Sequence, residues 1–380
     1  MARVLIAPDS FKGSLTSVQV AEALAAGWRS VRPGDEIALA PLADGGEGTL
    51  AAVEAAGGWE RRTARARDPL GRWIEAPWLV SDDGAAAVVE LAAASGLSRL
   101  DPAELDPIGA TTHGTGDLLR AALDAGVRHV VLGIGGSATT DGGRGILEAL
   151  GAVVTALGAD RGGRVSVDLA GLDPRLTLVS LEVACDVTNP LLGERGAAAT
   201  YGPQKGASPV QVRELDARNA AWADALEAAA GRDARDIPGA GAAGGVGFAM
   251  LCLADRFAAF ALRPGVELVM ESVGFTGRLA RADLVITGEG RIDAQTAFGK
   301  TALGVARRAH DAGVRCIAVG GGVEPEGVEA LGRLGVTVVP VWERPVPLAE
   351  AMAAGAAPLV ECGRRIARVG EYSELTKSLD

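Results

Sequence analysis

Six segments of this 380-residue chain bring glycines together with acids, hydroxyls or a lysine. They are PDSFKGS (8–14), LADGGEGT (42–49), GIGGSATTDGG (133–143), CDVTNPLLG (185–193), YGPQKGA (201–207) and GEGRIDAQTAFGK (288–300). Glycine lets main-chain N–H groups approach an anion closely, and a helix that starts just beyond adds a favourable dipole. The segment around Gly135, Gly136, Ser137 and Thr139 fits that use: an apolar strand, a glycine turn, hydroxyls, then a helix. It is neither G-x-x-x-x-G-K-[ST] nor a clean G-x-G-x-x-G, so the two common nucleotide fingerprints do not match. The bland reading is a tight turn in a glycine-rich protein.

Lysine is scarce. Of 37 basic residues only Lys12, Lys205, Lys300 and Lys377 are lysine, and the rest are arginine. The pattern suggests GC-rich coding, and the few lysines then mark places where a compact ammonium is wanted instead of a planar fork. Lys12, Lys205 and Lys300 lie inside the glycine segments, where point charges could hold phosphate oxygens. The alternative is a solvated surface lysine, which is the reading for Lys377 in the polar C-terminal tail.

Asp44, Asp186, Glu289 and Asp293 fall at or just after apolar strands. Mg²⁺ is commonly held there through one or two carboxylates and waters, and one acid could instead accept a proton from an attacking hydroxyl. Asp141 and Glu47 precede or open helices and could equally be caps or dipole partners. His113, His129 and His310 have no metal-ligand spacing, and no G-x-S-x-G elbow occurs. Cys185, Cys252, Cys316 and Cys362 are scattered, as expected of small buried thiols in a reducing cytoplasm.

Composition narrows the class. Hydrophobic residues at 48% and charged residues at 22% suit a folded globular chain, not a disordered one. A net charge of -11 argues against non-specific binding to nucleic acid or anionic membrane, so any positive potential for an anionic substrate must be local. The start MARVLIAPDSF is no signal peptide, and no window approaches a membrane span.

The elements that must position these segments alternate. Val4–Ala7 and 36–40 read as strands, each followed by a glycine loop and a helix (18–29 and about 49–56), with Thr16 or Ser17 as N-cap of the first. Residues 59–65, 73–80 and 85–90 read as an antiparallel meander turned by DPLG and SDDG. A helix at 117–125 precedes the strand 130–132, and a further helix covers about 145–150. Strand 178–184, the long helix 210–230 and a buried helix reaching to about Phe260 follow. Strand 284–286 then ends in the loop TGEGRID, and a helix runs to about His310. The remainder alternates strand 316–319, helix 325–334, strand 336–341 and helix 348–369. The pattern predicts an α/β protein: a Rossmann-like parallel sheet domain built from both termini (1–60 and 282–380), with a second α/β domain of mixed sheet inserted (61–281).

Taken together the segments resemble the bacterial glycerate kinase family, in its type that makes 2-phosphoglycerate. The likeness runs in order from IAPDSFKGSLTSVQVAEALAAGW and PLADGGEGT through IGATTHGTGDLL, GIGGSATTDGGRGILEALG, VACDVTNPLLG and GPQKGA. It closes with PGAGAAGGVGFAM and DLVITGEGRIDAQTAFGKTALGVAR, covering about residues 3 to 360. SATTDGGRG departs from the expected SATNDGGAG at Thr140 and Arg144, and a contact made by that Asn would be altered. The resemblance implies ATP-dependent phosphorylation of D-glycerate with Mg²⁺, and two α/β domains with the active site between them; a cytoplasmic location, as monomer or homodimer, is the accompanying expectation. With a net charge of -11, no nucleic-acid or membrane partner is expected.

The resemblance leaves each residue's role open; the chemistry of the matching positions suggests catalytic roles for Asp186, Lys12 and Arg291. Substrate and phosphate contacts fall to Asp9, Ser10, Asp44, Gly45, Gly46, Glu47, Gly135, Gly136, Ser137, Thr139, Asp141, Asn189, Lys205, Asp293 and Lys300. Metal ligation falls to Asp44, Asp186 and Glu289. Two other classes compete. One is an anion-binding sensor without catalysis. The other is an NAD-dependent hydroxy-acid dehydrogenase, which would need a G-x-G-x-x-G turn where the chain has PDSFKGS.

Overall fold

The computed structural model describes residues 1–157, 164–298 and 301–369. Thirteen strands form among the described residues. In the first part of the chain they are β1 (Arg3–Ile6), β2 (Glu36–Leu39), β3 (Trp59–Arg67), β4 (Trp73–Ser81), β5 (Ala86–Glu90) and β6 (His129–Gly133). Then come β7 (Val153–Leu157), β8 (Arg164–Asp168), β9 (Ser180–Ala184), β10 (Ala259–Arg263), β11 (Leu284–Ile292), β12 (Arg315–Val323) and β13 (Thr337–Pro340). The chain divides into two compact units: Met1–Asp44, Ala51–Gly57 and Val269–Asp380 in the first, Gly45–Leu50 and Gly58–Leu268 in the second.

The first unit carries a five-stranded sheet in the order β13-β12-β11-β1-β2, parallel throughout. Parallel strands need crossovers, which here are helices, and every loop leaving a strand C-terminus emerges on one edge. Helix Ser17–Val31 starts at Thr16, whose hydroxyl accepts from the Gln19 N–H while the Gln19 side chain accepts from the Thr16 N–H. That reciprocal cap satisfies two orphan donors. Its buried face, including Val20, Leu24 and Trp28, packs with Leu359, Cys362 and Ile366 of helix Ala357–Val369 against the sheet.

The second unit holds the six-stranded order β10-β9-β6-β5-β4-β3, in which β5, β6, β9 and β10 run parallel and β3 and β4 add an antiparallel hairpin. Glu90, Gly133, Ala184 and Arg263 form one row across the C-terminal ends of the parallel strands. The α/β class, the parallel sheet built from both termini and the inserted mixed sheet are all present.

Several elements differ from the sequence expectation. The buried helix expected to reach Phe260 stops at Cys252, and the apolar run after it is β10, drawn into strand form by pairing with β9. β11 does not end at Ile286: it runs on through the glycines to Ile292, because Gly288 to Ile292 pair along an equally glycine-rich β12. The last expected helix is two, Leu348–Ala353 and Ala357–Val369, parted at Gly355 with φ of 60°. Helix His113–Asp124 begins four residues before the expected start, and the β7–β8 hairpin was not anticipated.

Gly27 is where the two outer helices of the first unit meet. A Cβ there would lie 2.0 Å from the Val360 carbonyl oxygen and 2.9 Å from the Arg364 nitrogen, both rigid backbone. Gly27→Ala should therefore lower unfolding free energy by about 1–3 kcal/mol through overpacking, despite a helix propensity better by about 1 kcal/mol. A urea midpoint at or above that of the wild type would exclude this close contact.

Candidate active site

In the first unit the loops after β1 and β2 and the end of β11 gather four charged groups. Asp9 is buried, and its carboxylate accepts from the Thr301 hydroxyl at 2.6 Å and from the Ser10 N–H at 2.6 Å. Burial pushes its carboxyl above the ordinary range, while the Thr301 and Ser10 donors pull the other way. Lys12 is exposed, and its ammonium lies 3.4 Å from Asp44. Asp44 first, then Asp9 and Glu289, hold that ammonium more firmly protonated than usual. Glu289 is buried within β11 and accepts from Thr296 at 2.8 Å. One exposed cation among three carboxylates, at the C-terminal edge of a parallel sheet, can bind a phosphate or a carboxylate and, with it, a divalent cation.

Arg291, further along β11, is paired with Glu324 and lies 3.6 Å from Asp293. Asp293 accepts from the Gln295 N–H and so starts the turn at Ala294–Phe298. Lys300 lies outside the described residues.

The second unit organises the other candidates by close backbone approach. Gly45, at φ of 85°, would drive an added Cβ to 2.3 Å from the Ala184 Cβ at the end of β9. A Cβ on Gly133 would meet the Gly45 carbonyl at 2.5 Å, and one on Gly135 would meet the Gly46 Cα at 2.6 Å. The Gly135 N–H donates to the Gly45 carbonyl at 3.2 Å. The segment 45–50 thus lies across the ends of β9 and β6, an approach only glycine allows. Glu47 is exposed, and Gly136 turns at φ of 73°.

The rest of the 133–143 loop is held from within. Lys205 is 2% exposed, and its ammonium donates to the Ser137 hydroxyl at 2.9 Å and the Thr139 carbonyl at 2.5 Å. Burial pulls its pKa from the ordinary 10.5 to about 7, with Asp141 opposing. Asp141 accepts from Thr112 N and Oγ1 at 2.8 Å each and from the Gly143 and Gly145 N–H groups at 3.1 Å, so it caps the next helix and ties in the segment before His113. The hydroxyls of Thr139 and Thr140 are buried without a hydrogen-bond partner among the described residues, the condition that a water or ligand oxygen relieves. Asn189 donates to the Arg195 carbonyl at 2.8 Å and accepts from the Tyr201 hydroxyl, fixing its own loop. Asp186 is exposed at the end of β9 and accepts from the Gly265 N–H at 3.0 Å, where helix Gly265–Ser272 begins.

Among the described residues no three His, Cys, Asp or Glu side chains form a metal-holding group. Asp44 and Glu289 belong to the first unit and Asp186 to the second. Sequence reading overlooked Thr301, Thr296, Thr112 and Glu90. Of these only Glu90 had a signal, as a lone acid closing the apolar strand AAVVE.

Residues 4–371 match the profile described as the glycerate kinase family. The chain belongs to that family. It is an enzyme of the kinase class. A glycerate kinase of Halalkalibacterium halodurans is 43% identical, with 99% of this chain and 100% of the relative covered. A glycerate 2-kinase of Escherichia coli K12 is also 43% identical, over 80% of this chain and 81% of its own. A solved structure named for glycerate kinase 2 of Salmonella typhimurium LT2 is 39% identical and superposes with a TM-score of 0.83, covering 98% of this chain and 99% of that one. No helix of the described residues is long and apolar enough to cross a membrane.

The buried Lys205 makes a stability prediction. Its folded-state pKa, about 7, is below the ordinary 10.5. Between those values the unfolded chain binds more protons, so this group makes stability climb as pH rises through that window. The urea midpoint of the wild type should rise relative to that of Lys205→Met between pH 7 and 10. A difference that stays level with pH would mean the ammonium is not desolvated.

Proposed function

We propose that this enzyme transfers the γ-phosphoryl group of ATP to the 2-hydroxyl of D-glycerate, releasing ADP and 2-phosphoglycerate in the cytoplasm. The observation that carries this reading is the match of nearly the whole chain to glycerate kinases, one of them named a 2-kinase. The Lys12 cluster and the glycine-lined loop 133–143 supply chemistry suited to it.

In the reaction the 2-oxygen of glycerate forms a bond to the γ-phosphorus as the bond from that phosphorus to the bridging oxygen breaks. Lys12, exposed and firmly protonated, neutralises charge on the transferring phosphoryl group or the glycerate carboxylate. Arg291 has five donors; it shares them with Glu324 and Asp293 and offers the rest to the same carboxylate. Asp186 takes the proton from the attacking hydroxyl while its Oδ1 accepts from the Gly265 N–H. Gly135, Gly136, Ser137 and Thr139 present N–H and hydroxyl donors to phosphate oxygens.

The donor chemistry fits Mg²⁺: hard carboxylate oxygens of Asp44, Glu289 or Asp186 would hold it, one or two of them together with substrate phosphates. When bound, Mg²⁺ would supply neutralisation of the phosphate charge.

The deciding assay combines D-glycerate, ATP and Mg²⁺, with the product identified by phosphorus NMR. 2-Phosphoglycerate together with ADP is the expected result. Tight glycerate binding without ADP formation would favour a sensor instead. Asp186→Asn keeps a side chain that caps a helix as well as Asp does, so its melting temperature should hold while kcat falls by about 10²–10⁴. Lys12→Met should lower kcat/KM by about 10²–10³. Wild-type turnover in either variant would remove that residue from the mechanism.

A further inference from the structure

Glu90 ends β5 in the row that also holds Gly133 and Ala184, and it is 5% exposed. Its Oε1 accepts from the Gly48 N–H at 2.9 Å and its Oε2 from the Leu50 N–H at 3.3 Å. Both donors sit at the start of helix Thr49–Ala55, where backbone N–H groups have no partner inside the helix. Resting on the kinase reading, we propose that Glu90 is a positioning residue: its ionised carboxylate pins segment 45–50 across the ends of β5, β6 and β9.

The geometry makes the carboxylate an unusual anchor. It reaches the segment from 40 or more positions along the chain and grips both sides of Thr49. At the other end of the segment Gly45 packs against Ala184 and Gly133, and Gly46 against Gly135. The Thr49 hydroxyl closes the turn internally on the Gly46 carbonyl and adds no tie to the sheet. Releasing Glu90 therefore frees the Gly48–Leu50 end, and with it the loop that faces Gly135.

The ionised carboxylate accepts strongly at both oxygens. Protonation turns one of them into a hydroxyl, a weaker acceptor whose proton competes with the Gly48 or Leu50 N–H, so one of the two bonds weakens. Burial raises the pKa of Glu90 to about 7; the two N–H donors and Arg61 oppose the rise, and Glu47 adds to it. The grip thus weakens as pH falls through neutrality.

The test uses the full-length enzyme and Glu90→Gln, with two readouts. Hydrogen exchange by mass spectrometry of the peptide covering 45–55, corrected for intrinsic rates, reports the grip without any need for activity. In the wild type its protection should fall as pH drops from 8 to 6, and in Glu90→Gln it should be low at both values. In kinetics, wild-type kcat should show an acid limb near neutrality, whereas Glu90→Gln should lack that limb and run at least tenfold slower at pH 8. A purely structural role would move melting temperature without removing the limb. Unchanged protection in Glu90→Gln, or wild-type kcat with the limb intact, overturns the proposal. Should Glu90→Gln fail to fold, the wild-type exchange series decides alone, a pH-independent protection refuting it. An inactive wild type would overturn the kinase reading, while the exchange readout would still decide for or against Glu90.

Discussion

The close approach of backbone to backbone at the C-terminal ends of β6 and β9 is the constraint on which the second unit depends. Gly45, Gly133 and Gly135 come so near to their neighbours that any side chain would collide with main chain or with the Ala184 Cβ. That approach sets one glycine loop on another, and the 133–143 loop follows from it. Its other supports, Lys205 inside and Asp141 at the helix that follows, act on a loop whose entry is already placed. Glycine density here is a packing requirement as much as an anion-binding device.

The first unit solves a different problem, that of keeping carboxylates near one another while offsetting their repulsion. Thr301 and Ser10 satisfy Asp9 where it is buried, and Thr296 satisfies Glu289. Lys12, the exposed member, balances what remains. Two threonine hydroxyls and the Ser10 N–H thus hold the inner acids in place and leave the cation toward solvent. This suits a site whose ligand is an anion that arrives with its own countercharge.

Much of the architecture was legible because short apolar strands followed by glycine loops and helices admit few arrangements other than a parallel sheet. Where that rule was applied too locally it failed. The glycines of GEGRI looked like a loop, yet they remain in β11 because the stretch pairs with β12, Gly320 lying opposite Glu289 and Gly322 opposite Arg291. The run after Cys252 looked helical and became β10, since a free edge of β9 was available to pair with it. The scarcity of lysine did not foretell how each is used: Lys12 is exposed beside acids, whereas Lys205 is enclosed and spends its donors on the protein. Glu90 carried only the faint signal of a lone acid closing an apolar strand, because nothing near it in sequence is its partner.

The sequence by itself determined the family, the class of fold and the loops that carry the charged and glycine-rich groups. Those features are local or ordered along the chain, and residue types with their spacing express them directly. Tertiary structure alone decided which loop touches which, and which charged groups are buried. It set Gly45 against Ala184 across 139 positions, and brought Glu90 to the N–H groups of Gly48 and Leu50. Such contacts depend on sheet order and register, which no short segment encodes, and burial then changes the same side chain from a solvated charge into an anchor.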